Sequence, residues 1–427
     1  MILEGRMSQL NLLHSIPELR QKLFGRFWNP MLVTVIAGVL SSLYFGVTGT
    51  FWAVTGEFTR LAGHAMSWVG IDPHKLTYIE QIMHLEGSPV DRIDGWVVIG
   101  MFLGALMSVL LAGQFKLRLP KQKRRLVQGL IGGIVAGFGA RLAMGCNLAS
   151  FFTGIPQFSF HAWLFMLGMA GGTYIGVKLV LHPLLLGKPK LEKAAPGPRS
   201  FISSTPKIQP WLGLVVLVAA IVFVAVQIAG GHAKLGLAGL FGIAFGLLIQ
   251  RGQICFTSAF RDLWITGRSS MAKALSVGII AATLCTAVII SLGVPQKIMW
   301  ASPGALIGGL LFGIGIVVAG GCETGWMYRA MEGQLQFVVV GIGNIIGAGV
   351  LAWGWDHWGL YDKLVAGSPK INLVSQWGWT GAILATLGLM LAFYAFASLW
   401  EKRVRYMAKR KGQAVLMKAG VGRKEMA

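Results

Sequence analysis

Cysteine is the residue type in this sequence best able to do specific chemistry, and it occurs only four times in 427 residues. Cys146 and Cys322 end two related segments, IGGIVAGFGARLAMGC (131–146) and IGGLLFGIGIVVAGGC (307–322). The glycines and the cysteine of the first segment recur in the second at a constant offset. This repetition indicates an internal duplication in which both halves place a thiol beside a glycine-broken helix end, along one shared pathway.

A thiol in an apolar cavity stays protonated, because burial and an approaching anion both oppose its ionisation. Its S–H group then offers a weak, polarizable hydrogen bond to a soft sulfur or selenium atom. Such a contact replaces part of a hydration shell and still releases the ion, as conduction requires. A persulfide relay is the alternative use, since a thiolate attacks such compounds. No CxxC motif occurs, so neither a thioredoxin-like centre nor a zinc site is predicted.

The elements that hold these cysteines are predicted to be membrane helices. With 55% hydrophobic and only 13% charged residues, the chain cannot cover itself with a soluble surface. About ten apolar stretches are long enough to cross about 30 Å of hydrocarbon. These stretches lie near 31–47, 96–113, 127–145, 161–182, 211–230, 236–250, 275–294, 303–321, 336–353 and 379–400. We therefore predict an all-α integral membrane protein.

The net charge of +22 follows the positive-inside rule and does not indicate a nucleic-acid partner. Basic residues concentrate in 116–125, in 183–210 and after Trp400, whereas 61–95 is acidic. This asymmetry predicts a bacterial inner-membrane protein with both termini in the cytoplasm and the acidic connection outside. The first apolar run starts only near Met31 and is too long for a cleavable signal peptide, so none is expected.

If the predicted spans cross the membrane alternately between these two sides, the span before Cys146 runs outward and the span before Cys322 runs inward. The two repeats are therefore predicted to be inverted, so that a substrate meets related chemistry on both sides of the midplane. A weaker match aligns Trp52 of the first half with Cys255 of the second. The predicted domains are a cytoplasmic N-terminal segment (1–27), a first inverted repeat (28–182), a cytoplasmic Pro/Lys-rich linker (183–210), a second inverted repeat (211–400) and a basic cytoplasmic tail (401–427).

Four segments that follow spans are too short and too polar to cross a membrane: 48–60, 146–157, 252–264 and 322–334. We interpret them as re-entrant loops with short helices around a central pathway, because non-helical backbone at membrane depth needs protein or water to satisfy its amides. Their helix N-termini would direct N–H groups and partial positive charge at an anion. Ordinary loops at the membrane surface are the alternative interpretation.

The cysteine segments resemble a known family. RGQICFTSAFRD (251–262), GIVVAGGCETGWMYR (315–329) and GFGARLAMGCN (137–147) look like signatures of the YeeE/YedE family of sulfur-compound transporters. The run FWAVTGEFTR (51–60), with HLEGSP (84–89), resembles its YedE/FdhT branch, which is linked to selenium metabolism. The resemblance implies inner-membrane uptake of a small sulfur or selenium anion, with thiosulfate the best-known cargo of the family and selenium supply proposed for the branch.

The same resemblance implies that three cysteines act as successive stations for the anion: Cys146, Cys255 and Cys322. Neighbours in the broken segments are added as pathway candidates: Trp52, Asn147 and Thr324. Cys285 lies in the middle of an ordinary apolar stretch and is expected to be a core residue.

Ionisable residues beside the breaks are further candidates, because charge at membrane depth is costly. Arg141 lies five residues before Cys146, whereas its repeat counterpart is Val317. It either favours anions on one side of the pathway or snorkels to the interface. Glu323 is placed beside the pathway or in an ion pair with Arg329.

Structural ion pairs near the pathway are the remaining expectation for the charged residues of the second half. Arg261 and Asp262 are adjacent and are predicted to pair with each other, and Arg251 is assigned to the same structural group. These residues are expected to hold the loops in place rather than to touch the cargo.

Two functions remain open from the sequence. The favoured one is a non-enzymatic transporter or channel-like facilitator embedded in the lipid bilayer. The alternative is a membrane-embedded thiol or persulfide enzyme that passes sulfur or selenium to a cytoplasmic carrier protein. No GxxxxGK[ST] motif occurs, so ATP-driven pumping by this chain is not expected. No cofactor and no metal are predicted.

Overall fold

The computed structural model describes residue 20 and residues 23–183 and 208–418 of the chain. Most of the predicted linker, the first nineteen residues and the segment 419–427 lie outside these described residues. Their predicted cytoplasmic placement therefore stays a prediction.

The described residues form an all-helical protein without β-strands. The first half contains α1 (Pro30–Thr48), α2 (Thr55–Trp68), α3 (Ile93–Leu111), α4 (Arg124–Leu142) and α5 (Phe160–Leu181). The second half contains α6 (Gln209–Ala229), α7 (Ala233–Arg251), α8 (Phe256–Thr266), α9 (Ser270–Ser291), α10 (Pro303–Ala319), α11 (Glu323–Met331), α12 (Leu335–His357), α13 (Leu360–Leu364) and α14 (Leu373–Lys418). Short 3₁₀ or π-helical segments are Pro73–Lys75, Tyr78–Met83, Pro89–Asp91 and Asn147–Phe152.

Within the described ranges, nine helical segments are long and apolar enough to cross a membrane, which confirms nine of the ten predicted stretches. The tenth stretch forms α4, a helix of 19 residues that is not among the nine. Arginines at both ends and a run of glycines make α4 less apolar than the others. The expected count of ten is therefore corrected to nine by length and composition, with α4 packed among them.

Capping residues explain where α10, which leads into the segment after Cys322, begins and ends. Ser302 accepts a hydrogen bond from the Ala305 amide at 3.2 Å, and Pro303 occupies the first turn of α10. Gly320 ends α10 with φ of 82°, a left-handed conformation that glycine adopts without strain. The sequence thus stops α10 just before Cys322.

The duplicated glycine segments pack directly against each other. A Cβ atom on Gly132 would lie 2.4 Å from the Ala319 nitrogen, and one on Gly139 would lie 2.4 Å from the Phe312 nitrogen. Glycine therefore permits the close backbone contact between α4 and α10. Because early residues of α4 meet late residues of α10, the two helices run antiparallel.

The other long helices pack in matching pairs. Helix α3 packs on α7 and α1 packs on α9, while α10 packs on α5 and α4 packs on α12. Helix α6 packs on α3, and α14 packs on α9. The long helices thereby enclose α8 and α11, which at about 1.5 Å per residue are each too short to cross a bilayer.

Two faces of the molecule are defined by their charged connections. The acidic face is formed by residues 61–95 and the basic face by residues 116–125. On the acidic face Glu57 binds Arg92 at 2.5 Å and Arg60 at 3.2 Å, and Arg60 also binds Asp94 at 2.8 Å. This network fixes α2 to the start of α3.

A matched glycine pair tests the helix contacts. Gly172→Ala is expected to destabilise the protein by about 1–3 kcal/mol, because its Cβ would lie 2.0 Å from the Leu310 carbonyl oxygen and overpack α5 against α10. Gly171→Ala is the control, since nothing lies within 4 Å of a Cβ at that position. Thermal unfolding of both purified variants measures the difference, and equal midpoints would contradict this packing.

Candidate substrate pathway

Two of the predicted cysteines meet in the interior. Cys255 immediately precedes α8 and Cys322 immediately precedes α11, both in extended backbone conformation. Their sulfur atoms lie 3.8 Å apart although 67 residues separate them in the sequence. Phe256 donates its amide hydrogen to the Cys322 sulfur over 3.2 Å. The first turn of α8 therefore presents an N–H group to the thiol that begins α11.

Thr324 and Gly325 complete the surroundings of this thiol pair. The Thr324 hydroxyl lies 3.4 Å from the Cys322 sulfur and donates to the Ile254 carbonyl oxygen at 3.2 Å. A Cβ atom on Gly325 would lie 2.9 Å from the Cys255 sulfur and 3.4 Å from the Cys322 sulfur. The glycine thus leaves the space that the two sulfur atoms occupy. Sequence analysis missed Gly325, because glycine is abundant throughout the chain.

Cys146 lies apart from this pair, after the end of α4. The backbone amides of Leu148 and Ala149, the Thr55 hydroxyl and the Glu323 carboxyl are near enough to its thiol to influence it electrostatically. Cys146 and Cys322 are fully buried and Cys255 is 2% exposed. Solvent therefore does not reach the three thiols in this conformation. Cys285, in contrast, lies half-buried in α9.

Glu323 is a buried carboxylate in the first turn of α11. It accepts hydrogen bonds from Asn344 Nδ2 at 2.6 Å and from Trp326 Nε1 at 2.7 Å. Among the described residues no Lys, Arg or His nitrogen lies within 4 Å of it. A lone asparagine in the apolar stretch of α12 was the signal that could have identified its partner.

The expected pair between Glu323 and Arg329 is not formed. Residues six apart on a helix lie on different faces, so the guanidinium of Arg329 points away from the carboxylate. Arg329 instead donates to the Gly320 carbonyl oxygen at 2.9 Å and packs over the rings of Tyr328 and Phe337.

The other two arginines assigned to structural roles behave differently from each other. Arg261 and Asp262 form an ion pair at 2.8 Å. Arg251 makes no ion pair among the described residues and donates instead to three neutral oxygen atoms. These acceptors are the Phe24 carbonyl, the Gln114 side chain and the Gln250 side chain, at 2.6, 2.8 and 2.6 Å.

Trp52 belongs to an aromatic cluster between the Cys146 segment and the thiol pair. Its ring stacks on Phe245 with centroids 3.9 Å apart and meets Phe152 edge-on at 6.0 Å. Phe152 in turn meets Phe256, the first residue of α8, at 5.7 Å. Trp52 donates its indole hydrogen to the Met101 sulfur over 3.2 Å. It therefore reaches the thiol pair through two phenylalanines and not by direct contact.

Several buried polar groups beside the cysteines have no hydrogen-bond partner among the described residues. They include both amide atoms of Asn147 and the hydroxyls of Ser150 and Thr257. Leaving a buried polar group unsatisfied costs about 1–3 kcal/mol, and most buried groups in proteins are paired. Asn147 follows Cys146, and Thr257 lies two residues after Cys255. Unsatisfied groups at these places are available to a bound ligand.

Arg141 is also buried, with 4% of its surface exposed, and so does not snorkel to the interface. Its guanidinium contacts the Thr55 hydroxyl at 3.4 Å and the Met83 sulfur at 3.1 Å. Its Nε has no partner among the described residues. An uncompensated buried charge costs several kcal/mol, so a purely structural role does not explain this arginine.

A protein-family comparison decides the family. The model described as Sulphur transport matches residues 5–175 and 251–424, which is most of the chain. The chain belongs to this YeeE/YedE sulphur transport family. The expected family resemblance is thereby confirmed, and the matched ranges include Cys146, Cys255 and Cys322.

Curated members of the sulphur transport family provide closer comparisons. The probable transporter YedE of Escherichia coli K12 is 50% identical over 379 residues, which cover 88% of this chain and 94% of that protein. The protein of the same name from Salmonella typhimurium is 49% identical over the same shares of both chains. The thiosulfate transporter TsuA of Escherichia coli K12 is 42% identical over 102 residues, 23% of this chain and 29% of TsuA.

These relatives are all named as transporters, and the chain is accordingly a multi-pass membrane protein of a sulfur-compound transporter family. No group of three or more His, Cys, Asp or Glu side chains in the described ranges is arranged to hold a metal ion. The buried site offers thiols, amides and hydroxyls, and Arg141, Arg251 and Arg329 form no ion pair among the described residues.

Proposed function

We propose that this protein carries a small sulfur- or selenium-containing anion across the bacterial inner membrane, along a pathway that includes Cys146, Cys322 and Cys255. The observation that carries the proposal is the buried thiol pair, in which two distant cysteines lie 3.8 Å apart at the beginnings of α8 and α11. Glu323, the residue after Cys322, is within electrostatic range of Cys146. Asn147, Thr324 and the aromatic cluster of Trp52 line the same region.

The proposal includes two inverted repeats with re-entrant segments at the breaks. The antiparallel contact between α4 and α10 supports it, because these helices carry the duplicated sequence. The helix pairs also match under exchange of the halves, as in α3 with α7 against α9 with α1. Arg141, before the first break, contacts Tyr78 of the acidic face, whereas Gln334, after the second, lies beside Arg118 near the basic face. These two contacts support a placement of the breaks toward opposite sides of the membrane.

The orientation follows from charge. The acidic face is proposed to lie outside and the basic face in the cytoplasm, together with both termini. An anion entering from outside would then meet Cys146 first and the thiol pair second.

The surroundings of the thiol pair suit a soft anion. N–H groups at helix beginnings favour negative charge, and a neutral S–H donates weakly to a large polarizable atom. Weak donors at successive stations allow the anion to exchange one contact for the next without being trapped. The Arg329 guanidinium, within electrostatic range of both cysteines, adds positive potential toward the basic face.

Thiosulfate is the first cargo to test, because the relative TsuA is named for its transport. A selenium anion is the second, since the terminal selenium of such an ion resembles sulfur in size and softness. The resemblance of residues 51–60 and 84–89 to a branch linked to selenium metabolism favours selenium supply as the physiological role.

Covalent sulfur transfer is the second candidate function, and the 3.8 Å thiol pair is the observation that favours it. A thiolate of Cys255 would attack the outer sulfur of thiosulfate, forming a persulfide and releasing sulfite. The Cys322 thiol would then displace hydrosulfide and form a disulfide, which a dithiol reductant must reopen. This route requires that reductant, or a cytoplasmic carrier protein to accept the sulfur, whereas transport requires neither.

Uptake of radiolabelled thiosulfate into proteoliposomes tests the proposal, with selenosulfate, whose terminal atom is selenium, as competitor. We expect uptake by the parent protein without reductant, and at least a tenfold lower initial rate in Cys146→Ser, Cys255→Ser and Cys322→Ser. A serine hydroxyl is a smaller and harder donor, so it holds the soft atom poorly. Cys285→Ser is the matched control and should transport like the parent.

Two results would contradict transport by this route. Absence of uptake by a folded parent protein would remove the transporter proposal. Sulfur transfer would be favoured instead if the label stayed covalently bound to the denatured protein, sulfite were released, and uptake depended on a dithiol.

A further inference from the structure

The thiol pathway leaves the buried arginine of α4 unexplained. An arginine carries five N–H donors, yet Arg141 meets only one hydroxyl at 3.4 Å and one thioether at 3.1 Å. Its Nε is unpartnered, and no carboxylate among the described residues lies within 4 Å of it. Arg141 as a whole is 4% exposed, and its poorly paired guanidinium lacks an anionic partner in this conformation.

The segment Tyr78–Met83 covers this guanidinium from the acidic face. The Tyr78 hydroxyl donates to the Arg141 carbonyl oxygen at 2.8 Å, and its ring lies 5.4 Å from the guanidinium carbon. The Met83 carbonyl oxygen is held by Arg60 at 2.8 Å, while its side chain supplies the contacting sulfur. A thioether is a weak acceptor on a flexible side chain, so an oxyanion can replace it while the backbone stays in place.

Thr55 connects Arg141 to the first thiol. Its hydroxyl accepts a hydrogen bond from Arg141 Nη1 at 3.4 Å and is near enough to the Cys146 thiol to influence it electrostatically. Asn147 follows that cysteine with both amide atoms buried and unpartnered. The cationic guanidinium of Arg141, a hard donor, and the soft thiol of Cys146 thus lie on either side of the Thr55 hydroxyl.

We propose that Arg141 and Thr55 bind the oxygen atoms of a divalent oxyanion while its terminal sulfur or selenium contacts Cys146. The planar guanidinium fork matches two oxygens of such an ion, and the bound ion displaces Met83. The repeat counterpart of Arg141 is Val317, so this oxyanion station exists only toward the acidic face. The station selects ions that carry both oxygen and a soft atom, and it deepens the proposed function on which it rests.

Arg141→Met and Arg141→Lys test the station in purified protein and in proteoliposomes, with thiosulfate as the probe. Thiosulfate should raise the thermal midpoint of the parent, because a ligand that binds only the folded state stabilises it. In Arg141→Met this rise should disappear and the KM for uptake should increase at least tenfold. Arg141→Lys should lie between, since it keeps the charge but loses the fork. Exposed Arg268→Met is the charge-matched control and should behave like the parent.

The ligand-free midpoint separates a binding role from a structural one. Removing a buried unpaired charge should leave the midpoint of Arg141→Met unchanged or higher, whereas loss of a structural arginine would lower it. Either of two results would overturn the station. In the first, the parent takes up thiosulfate and Arg141→Met has an unchanged KM. In the second, Arg141→Met has a lowered ligand-free midpoint and is still stabilised by thiosulfate. A folded parent that neither takes up thiosulfate nor is stabilised by it would overturn the proposed function itself.

Discussion

Gly325→Val is expected to reduce thiosulfate uptake at least a hundredfold while the protein remains folded. The first added carbon would lie 2.9 Å from the Cys255 sulfur, closer than van der Waals contact permits, and 3.4 Å from the Cys322 sulfur, so that the further methyl groups of valine have no room. The neighbours that must move are the two thiol side chains, and their displacement would separate the two proposed cysteine stations. Initial uptake rates in proteoliposomes measure the loss.

Gly325→Ala should give a smaller loss, because it adds one carbon without the two methyl groups of valine. Gly171→Val is the matched control, since no atom lies within 4 Å of a Cβ there. Size-exclusion chromatography and thermal unfolding establish that each variant is folded. Wild-type uptake by folded Gly325→Val would show that the thiol pair is not on the transport route.

Oxidation by diamide is expected to abolish uptake and to link Cys255 to Cys322. Diamide takes two electrons and two protons from the thiol pair, becoming the hydrazine and leaving a disulfide. A disulfide requires sulfur atoms about 2.05 Å apart, so the pair must close by less than 2 Å from its observed 3.8 Å. The product removes both S–H donors at once, and dithiothreitol should restore uptake.

Peptide mass spectrometry identifies the bond. The linked peptides should contain Cys255 and Cys322, with Cys146 and Cys285 still free, because neither lies in the pair. Cys285→Ser should respond to diamide like the parent, whereas Cys322→Ser should form no such bond. A dominant disulfide through Cys146, or uptake that survives complete oxidation of the pair, would contradict the arrangement of stations.

Much of the fold is readable from local sequence. Hydropathy alone indicates an all-helical membrane protein, because a stretch that crosses hydrocarbon must be apolar along its whole length. α4 is the instructive exception. Its glycines permit close packing against α10 and its Arg141 is buried, and both residue types lower the hydropathy of the helix. Its helical structure was predicted, but its degree of apolar character was overestimated.

The candidate site is less readable, and its charged residues show why. Arg261 and Asp262 are neighbours in sequence, and their ion pair was expected. Glu323 and Arg329 were expected to pair by proximity alone, yet helix geometry separates them, and the partner of Glu323 comes from Asn344 on another helix. Side-chain partners across helices depend on packing that sequence spacing does not encode.

The sequence by itself determined the membrane class, the internal duplication, the family and the cysteines worth testing, because composition, repetition and motifs are properties of the linear chain. Only the tertiary structure decided that Cys255 and Cys322 meet while Cys146 stands apart, that Gly325 leaves room for their sulfurs, and that Arg141 lies buried without an anion. The thiol pair forms where the beginnings of α8 and α11 meet, and Arg141 is buried against the Tyr78–Met83 segment. Contacts between elements distant in the chain are set by how the helices pack, and packing is a property of the whole fold.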